Sequence, residues 1–320
     1  MPLSEFEIIT RYFSHCPTQR KDVLVGIGDD GAVLRVPPET DLVVSIDTLV
    51  AGVHFSEDFS PEDIGYRALA VNLSDLAAMG AAPAWATLAL TLPTADETWI
   101  EGFSRGFFEL AHAYSLQLVG GNIARGPLNI TVEVHGLIPT GAALRRAGGK
   151  PGDAVYVTGT LGDAAMAMTA MELLLDEKER HHCLERLRRP LPRIRQGQLL
   201  RGVATSAIDI SDGLLADLGH LLQASGVGAT IELHRLPLSS ALQGVGDESR
   251  RWQLALAGGD DYELCFTVPP ALERKLRTLA PDSDCPLTRI GIIEKKPGLR
   301  CLLPGGKPFR PTGSGYQHFY

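Results

Sequence analysis

The stretch Gly26-Ile27-Gly28-Asp29-Asp30-Gly31, GIGDDG, matches the dinucleotide-binding pattern G-x-G-x-x-G letter for letter. Two carboxylates stand where that pattern would cradle a pyrophosphate. Each would oppose a phosphate by roughly 1 kcal/mol in water, and by more where water is excluded. The pattern also calls for a helix directly after the loop and an acid about 20 residues on. Here the β-type run AVLRV (32–36) follows instead. The loop therefore reads as a tight glycine turn that aims Asp29 or Asp30 at a cation, and the sequence argues against a Rossmann site.

Four further stretches repeat this theme. They are Ser45-Ile46-Asp47-Thr48, Asn72-Leu73-Ser74-Asp75, Asp209-Ile210-Ser211-Asp212-Gly213 and Gly258-Gly259-Asp260-Asp261. Taken alone, an Asp–Gly loop is a turn more often than a ligand. Recurrence beside Ser, Thr and Gly at strand ends, where open sheets bind ligands, shifts the reading. The run LVVSI before Asp47 reads as a buried strand, and a buried, unpaired carboxylate is costly. Few Lys or Arg lie near these loops. Magnesium, a hard cation that takes carboxylate and phosphate oxygens together, is the better counter-charge.

Around these loops the periodicities predict a capped helix over 4–14, a strand over 23–27, a buried strand over 41–50 and helices over 60–81 and 95–115. Strands are expected over 86–92, 116–121 and 128–138. The Gly/Pro-rich run AGGKPGD (147–153) marks the domain boundary, giving domains 1–148 and 149–320. Beyond it come strands at 154–159, 207–213, 231–237 and 261–268, and helices at 161–175, 214–226 and 271–279. The order predicts an α/β (α+β) chain of two domains. Gly120–Pro127 reads as a loop after a strand, with backbone amides and one arginine, and Arg145-Arg146 adds two cations near the boundary. Both suit phosphate. His181-His182 reads as a surface pair, and the arginines of 186–201 as a solvated face.

A net charge of −8 argues against nucleic-acid or anionic-membrane binding, which needs basic stripes. The five cysteines form no C-x-x-C pair and their number is odd, so a reducing cytoplasm is the default. No signal peptide or membrane span is apparent. There is no P-loop, no H-E-x-x-H and no G-x-S-x-G.

In order, GIGDDGAV, SIDTLVAGVHF, DIGYRALAVNLSDLAAMGA, LVGGNIARGPL, GDAVYVTGTLGDAA, DISDGLLADLGH, GGDDYELCFTV and GSGYQHF resemble the thiamine-monophosphate kinase family nearly end to end. Single pieces are shared with the wider aminoimidazole ribonucleotide synthetase-like ATP-using superfamily. The resemblance implies a two-domain synthetase-like fold, with an N-terminal sheet domain that forms a homodimer and a C-terminal α+β domain. It implies ATP-dependent phosphorylation of thiamine phosphate to thiamine diphosphate, the last step in making that cofactor, with several Mg²⁺ ions. Asp30, Ser45, Ile46, Asp47, Asp75, Asp209 and Asp212 match metal-ligand places, Ile46 through its carbonyl alone. Gly121, Asn122, Arg146 and Ser211 match ATP contacts, and His54, Asp260 and Tyr316 match places near thiamine phosphate. No covalent nucleophile or base is implied.

Two positions depart from the family pattern. Asn122 stands where an aspartate is usual and Ala51 where an acid is common. The first motivates one alternative, a non-catalytic ATP or thiamine phosphate binder; the other alternative is a different ATP-using enzyme of the same superfamily. A selenophosphate synthetase would want a reactive cysteine in a mobile Gly-rich N-terminal segment, whereas Cys16 follows a predicted helix in SHCPTQ.

Overall fold

The computed structural model describes residues 3–14, 16–56, 58–169, 175–279 and 285–319. The chain divides into two compact units, one of residues 1–76 and 81–141, the other of 77–80 and 142–320.

The first unit opens with α1 (Glu5–Ile8), started by the Ser4–Glu7 capping box and continued as a π turn over Ile9–Phe13. A short hairpin, β1 (Val23–Val25) and β2 (Val33–Leu34), follows. A four-stranded sheet has the order β3-β6-β4-β5, built from β3 (Thr40–Val50), β4 (Ala82–Leu92), β5 (Gln117–Arg125) and β6 (Asn129–Pro139). Strands β3 and β5 are its two edges. Side chains alternate across the sheet. Ser45 and Asp47 face α2 (Pro61–Met79), whereas Leu42, Val44 and Ile46 lie on the opposite face, 44%, 51% and 59% exposed. The expected buried strand at 41–50 is therefore an open edge. Its apolar run is real, but half of it faces away from the core.

Helix α2 starts where Ser60 accepts the Asp63 N–H and Pro61 takes the first turn, and Gly80 closes it in the left-handed conformation. Helix α3 (Glu97–Ala113) is capped by Asp96 and buries Ile100, Phe103, Phe107 and Leu110 along one stripe. The two helices meet through glycine. A Cβ on Gly65 would lie 2.0 Å from the Phe103 carbonyl oxygen, and one on Gly106 would lie 1.9 Å from that of Glu62. On the other sheet face, Val23 and Leu34 of the hairpin, with Leu137, pack against the cluster of Ala84, Trp85 and Val119.

The second unit carries a seven-stranded sheet of order β13-β12-β9-β11-β7-β10-β8. Its strands are β7 (Ala154–Thr158), β8 (Ser206–Ile210), β9 (Gly228–Glu232), β10 (Glu263–Val268), β11 (Leu287–Glu294), β12 (Gly298–Leu302) and β13 (Pro308–Phe309). Every residue of β7, β8 and β10 is buried, as expected for strands covered on both faces. The helices are α4 (Asp163–Ala167), α5 (Glu177–Arg188), α6 (Ile194–Leu200), α7 (Leu214–Ser225), α8 (Ser240–Gln243), α9 (Glu248–Ala257) and α10 (Glu273–Leu279).

Several boundaries differ from the sequence reading. The helix expected over 161–175 is α4, ending at Ala167, and residues 170–174 lie outside those described. The strand expected over 231–237 sits at 228–232 and gives way to a 3-10 turn at Leu233. Gly120–Arg125 belongs to β5 and is not a loop, because it pairs in parallel with β4 through Leu92↔Arg125. Among the described residues, no helix is long and apolar enough to cross a membrane.

Glycine at the α2–α3 crossing is a packing requirement. Gly106→Ala should gain up to about 1 kcal/mol of helix propensity yet lower stability by roughly 2 kcal/mol through backbone overlap. Urea unfolding of the two proteins measures the difference. A variant as stable as the parent would refute the close-crossing argument.

Candidate functional site

The acids of the first unit stand on elements that fix them in pairs. Ser45 Oγ donates to Asp75 Oδ2 at 2.5 Å, joining β3 to α2. Asp47 is exposed, and its backbone N–H donates to Asn72 Oδ1 at 3.0 Å. Asn72 is fully buried and anchors itself on the Ala68 carbonyl at 2.9 Å. Sequence reasoning missed Asn72 as a support. Its spacing, three residues before Asp75 on one helix face, was the available signal. Ile46 turns its side chain to the opposite face, across from Glu133. Beyond β3, the His54 Nδ1 accepts the Val50 N–H at 3.0 Å, which leaves Nε2 to carry the proton of the neutral ring.

Asp30, Gly121 and Asn122 gather at the other edge of the sheet. Asp30 is exposed in the turn after β1, its N–H held by Asp29 Oδ1 at 2.9 Å, with Gly28 at φ +120°. Gly121 is at φ +155°, and a Cβ there would lie 1.9 Å from the Leu88 carbonyl oxygen. These three residues rim a cavity of about 570 Å³ whose wall includes Phe6, Phe13 and Leu118. The ladder register places Asn122 beside Ala89, which pairs with Thr131 and so with Thr48. Asp47 and Asn122 are thus three strand spacings apart, about 14 Å along the sheet. The protein does not bring them together within one sheet.

The second unit holds a tighter group. Asp209 is 5% exposed at the end of β8. This acid, and not Asp47, is the one that leaves a buried strand. The turn Ser211-Asp212-Gly213 is held by Asp217, whose Oδ2 accepts all three N–H groups at 3.0, 3.0 and 3.1 Å. Asp260 donates its N–H to Ser211 O at 2.8 Å, and Tyr316 donates its own to Asp212 O at 3.0 Å. Ser211, Asp212, Asp260 and Tyr316 therefore meet at one turn. Burial raises the Asp212 carboxyl and Asp260 adds to that, while His220, His318 and Arg146 act to lower it. Arg146 is exposed, and its carbonyl accepts Ser225 Oγ at 3.1 Å.

Behind this turn lies a buried ion network that corrects the reading of the basic segment. Glu263 is fully buried and receives Arg186 at 2.7 Å, Arg193, and the Thr158 hydroxyl at 2.5 Å. These arginines balance a core carboxylate and are not a solvated face. His181 and His182 are both exposed, a surface pair as expected, and His182 also bonds the buried Asp163 at 3.1 Å.

Every candidate metal ligand here offers oxygen, the donor type that Mg²⁺ takes. Among the described residues, no three His, Cys, Asp or Glu side chains stand close enough to hold a metal by themselves. The donors fit a cation that also binds phosphate oxygens and water.

The AIR synthase related protein families match the chain in two pieces, the N-terminal domain over residues 28–138 and the C-terminal domain over 150–303. The thiamine-monophosphate kinase of Escherichia coli O157:H7 is 49% identical, covering 100% of this chain and 99% of that one. The chain belongs to the thiamine-monophosphate kinase family. The crystal structure of thiamine-monophosphate kinase from Stenotrophomonas maltophilia K279a is 46% identical with a TM-score of 0.87, covering 94% of this chain and 97% of that one. AaThiL complexed with AMPPCP and TMP is 34% identical with a TM-score of 0.76, covering 92% of each chain. The hydrogenase maturation protein HypE in complex with ATP shares the fold at 17% identity, with a TM-score of 0.78. The kinase family and its synthetase-like fold thus stand as the sequence reading expected.

Asp217 gives a pH test of the turn. Burial, then the charge of Asp212, push its carboxyl up to about 7, against the pull of three N–H groups. An unfolded aspartate titrates near 3.9, so the native state binds the extra proton between those values. The stability it contributes is full below about pH 4 and lost as pH rises through 7. Asp217→Asn keeps an oxygen for the N–H groups and removes the titration. Thermal melts in EDTA from pH 4 to 8 should fall with rising pH more steeply for the parent than for the variant. Parallel curves would contradict the assignment.

Proposed function

We infer that this chain transfers the γ-phosphoryl group of ATP directly to thiamine phosphate, giving thiamine diphosphate and ADP. The full-length 49% identity to a thiamine-monophosphate kinase carries the reading. An oxygen of the thiamine phosphate forms the new bond to the γ-phosphorus as the bond to the β-bridging oxygen breaks. The nucleophile is already ionised, so no side-chain base is required. The chemistry reduces to alignment and to neutralising two polyanions.

The first unit offers Asp30, Ser45, Asp47 and Asp75 to Mg²⁺, with Ile46 limited to its carbonyl. The second offers Asp209 and Asp212. When bound, the ions would screen the phosphates from one another and from the acids. Gly121, Asn122, Arg146 and Ser211 are assigned to ATP, and His54, Asp260 and Tyr316 to thiamine phosphate. Tyr316 is 46% exposed and presents a ring face suited to a cationic heterocycle. A homodimer is assigned to the sheet face of Leu42, Val44 and Ile46, an exposed apolar strip beside β6. With soluble substrates and five buried cysteines that form no disulfide, the cytoplasm is the compartment we assign.

The deciding assay mixes the protein with ATP, Mg²⁺ and thiamine phosphate and follows thiamine diphosphate by chromatography. Product in step with ADP is expected. ATP binding without product would favour the non-catalytic alternative raised by Asn122. Asp47→Asn should lower kcat at least about 100-fold, in line with losing a group that offsets developing phosphoryl charge. Asn122→Asp should lower the Mg²⁺ concentration for half-maximal rate several-fold, and an unchanged Mg²⁺ dependence would count against a weakened ion site. Val44→Glu should shift the protein to monomer in sedimentation, whereas an unaltered dimer would place the interface elsewhere.

A further inference from the structure

Helix α7 carries a clasp at each end. In its first turn, Asp217 holds the N–H groups of Ser211, Asp212 and Gly213. Its last residue, Ser225, holds a different segment. Ser225 Oγ donates to the Arg146 carbonyl at 3.1 Å and accepts the Gly148 and Gly149 N–H groups at 3.2 and 3.1 Å. A hydroxyl has one proton and two lone pairs, so the backbone engages it wholly. A second tie comes from β8, where the Ala207 N–H donates to the Arg145 carbonyl at 2.9 Å.

The two peptide planes that flank the Arg146 Cα are thus each tied to a packed element. The plane before it is held by β8 and the plane after it by α7. Peptide planes are rigid, so the direction in which the Arg146 side chain leaves the backbone is set. The turn beyond fits this close approach. Gly148 is at φ +129°, and a Cβ there would lie 2.3 Å from the Thr205 carbonyl oxygen. Arg146 itself is exposed, and its charge acts on Asp212, just before the other end of the same helix. The 12 residues of α7, about 18 Å of helix, therefore set the spacing between the acid turn and the Arg146 clasp. We propose that Ser225 is a positioning residue for the nucleotide, which acts through the Arg146 peptide to aim that guanidinium at the phosphates of ATP.

The proposal rests on the assignment of Arg146 to ATP, and Arg146→Ala separates the two. Calorimetric binding of ATP with Mg²⁺ reads the affinity without turnover. Arg146→Ala should weaken ATP at least about 10-fold, and an unchanged Kd would remove both the assignment and the proposal. Ser225→Ala should raise the Kd and KM for ATP about 3- to 10-fold, with the KM for thiamine phosphate unchanged. Ser225→Thr keeps the hydroxyl and should stay within about 2-fold of the parent. In an Arg146→Ala background, Ser225→Ala should have no further effect on ATP. If Arg146→Ala weakens ATP and Ser225→Ala does not, the proposal alone falls. An equal rise for both substrates, a Ser225→Thr protein as weak as Ser225→Ala, or a Ser225→Ala effect that survives Arg146→Ala would each overturn it as well. The Gly149 N–H is buried and loses its acceptor in Ser225→Ala, so the melting temperature should fall too. That fall with unmoved ATP values would make the hydroxyl a purely structural clasp and overturn the proposal. If Ser225→Ala does not fold, Ser225→Cys, a weaker donor of similar size, takes its place with the same expected direction.

Discussion

Glu263 and its two arginines are the interaction on which the second unit depends. A carboxylate with no exposed surface would be ruinous alone, and removal of one partner from such a group costs about 3–5 kcal/mol. Arg186 comes from α5 and Arg193 from the segment before α6, so the charge ties two helical regions to the first residue of β10. Thr158 ties β7 to the same point. Even Gly159 is set by it, because a Cβ there would lie 2.1 Å from Glu263 Oε1. The strand so anchored begins directly after the Asp260 loop. Arg186 of the same cluster also donates to the Asp261 carbonyl within that loop, at 2.9 Å.

The first unit works differently. Its acids are placed by hydrogen bonds between strand and helix, Ser45 with Asp75 and the Asp47 peptide with Asn72. The α2–α3 glycine crossing packs the helix that carries Asn72 and Asp75 tightly against α3. Carboxylates set beside phosphate would repel it, which is the physical ground for the cations assigned above.

Much of this was legible in the sequence, and the failures have physical causes. The acid loops stood out because Asp beside Gly and Ser at strand ends is a local pattern. The helix starts at Ser60–Pro61 and Asp96 follow local capping rules. Strand β3 was misjudged because the apolar run LVVSI gives no sign of which face is covered. Gly120–Arg125 looked like a loop because glycine punctuates, yet it pairs with β4 along its length. The buried arginines were invisible because Glu263 lies 70 residues from Arg193, and no local rule joins them.

The exposed strip of β3 has a consequence for the chain before it finds any partner. Among the described residues, Leu42, Val44 and Ile46 lie along an edge strand with no further strand beside it, although Asp47 N–H is held by Asn72 and Val50 N–H by His54. A lone copy therefore offers another β segment both a hydrophobic surface and a hydrogen-bonding template, the combination that drives unwanted strand addition. Lys and Glu gatekeepers are missing from Leu42–Ile46, whose guard is Asp41 before it and Asp47 after it. The second of these acids, exposed on β3, thus guards the edge against strand addition, apart from any part in binding cations.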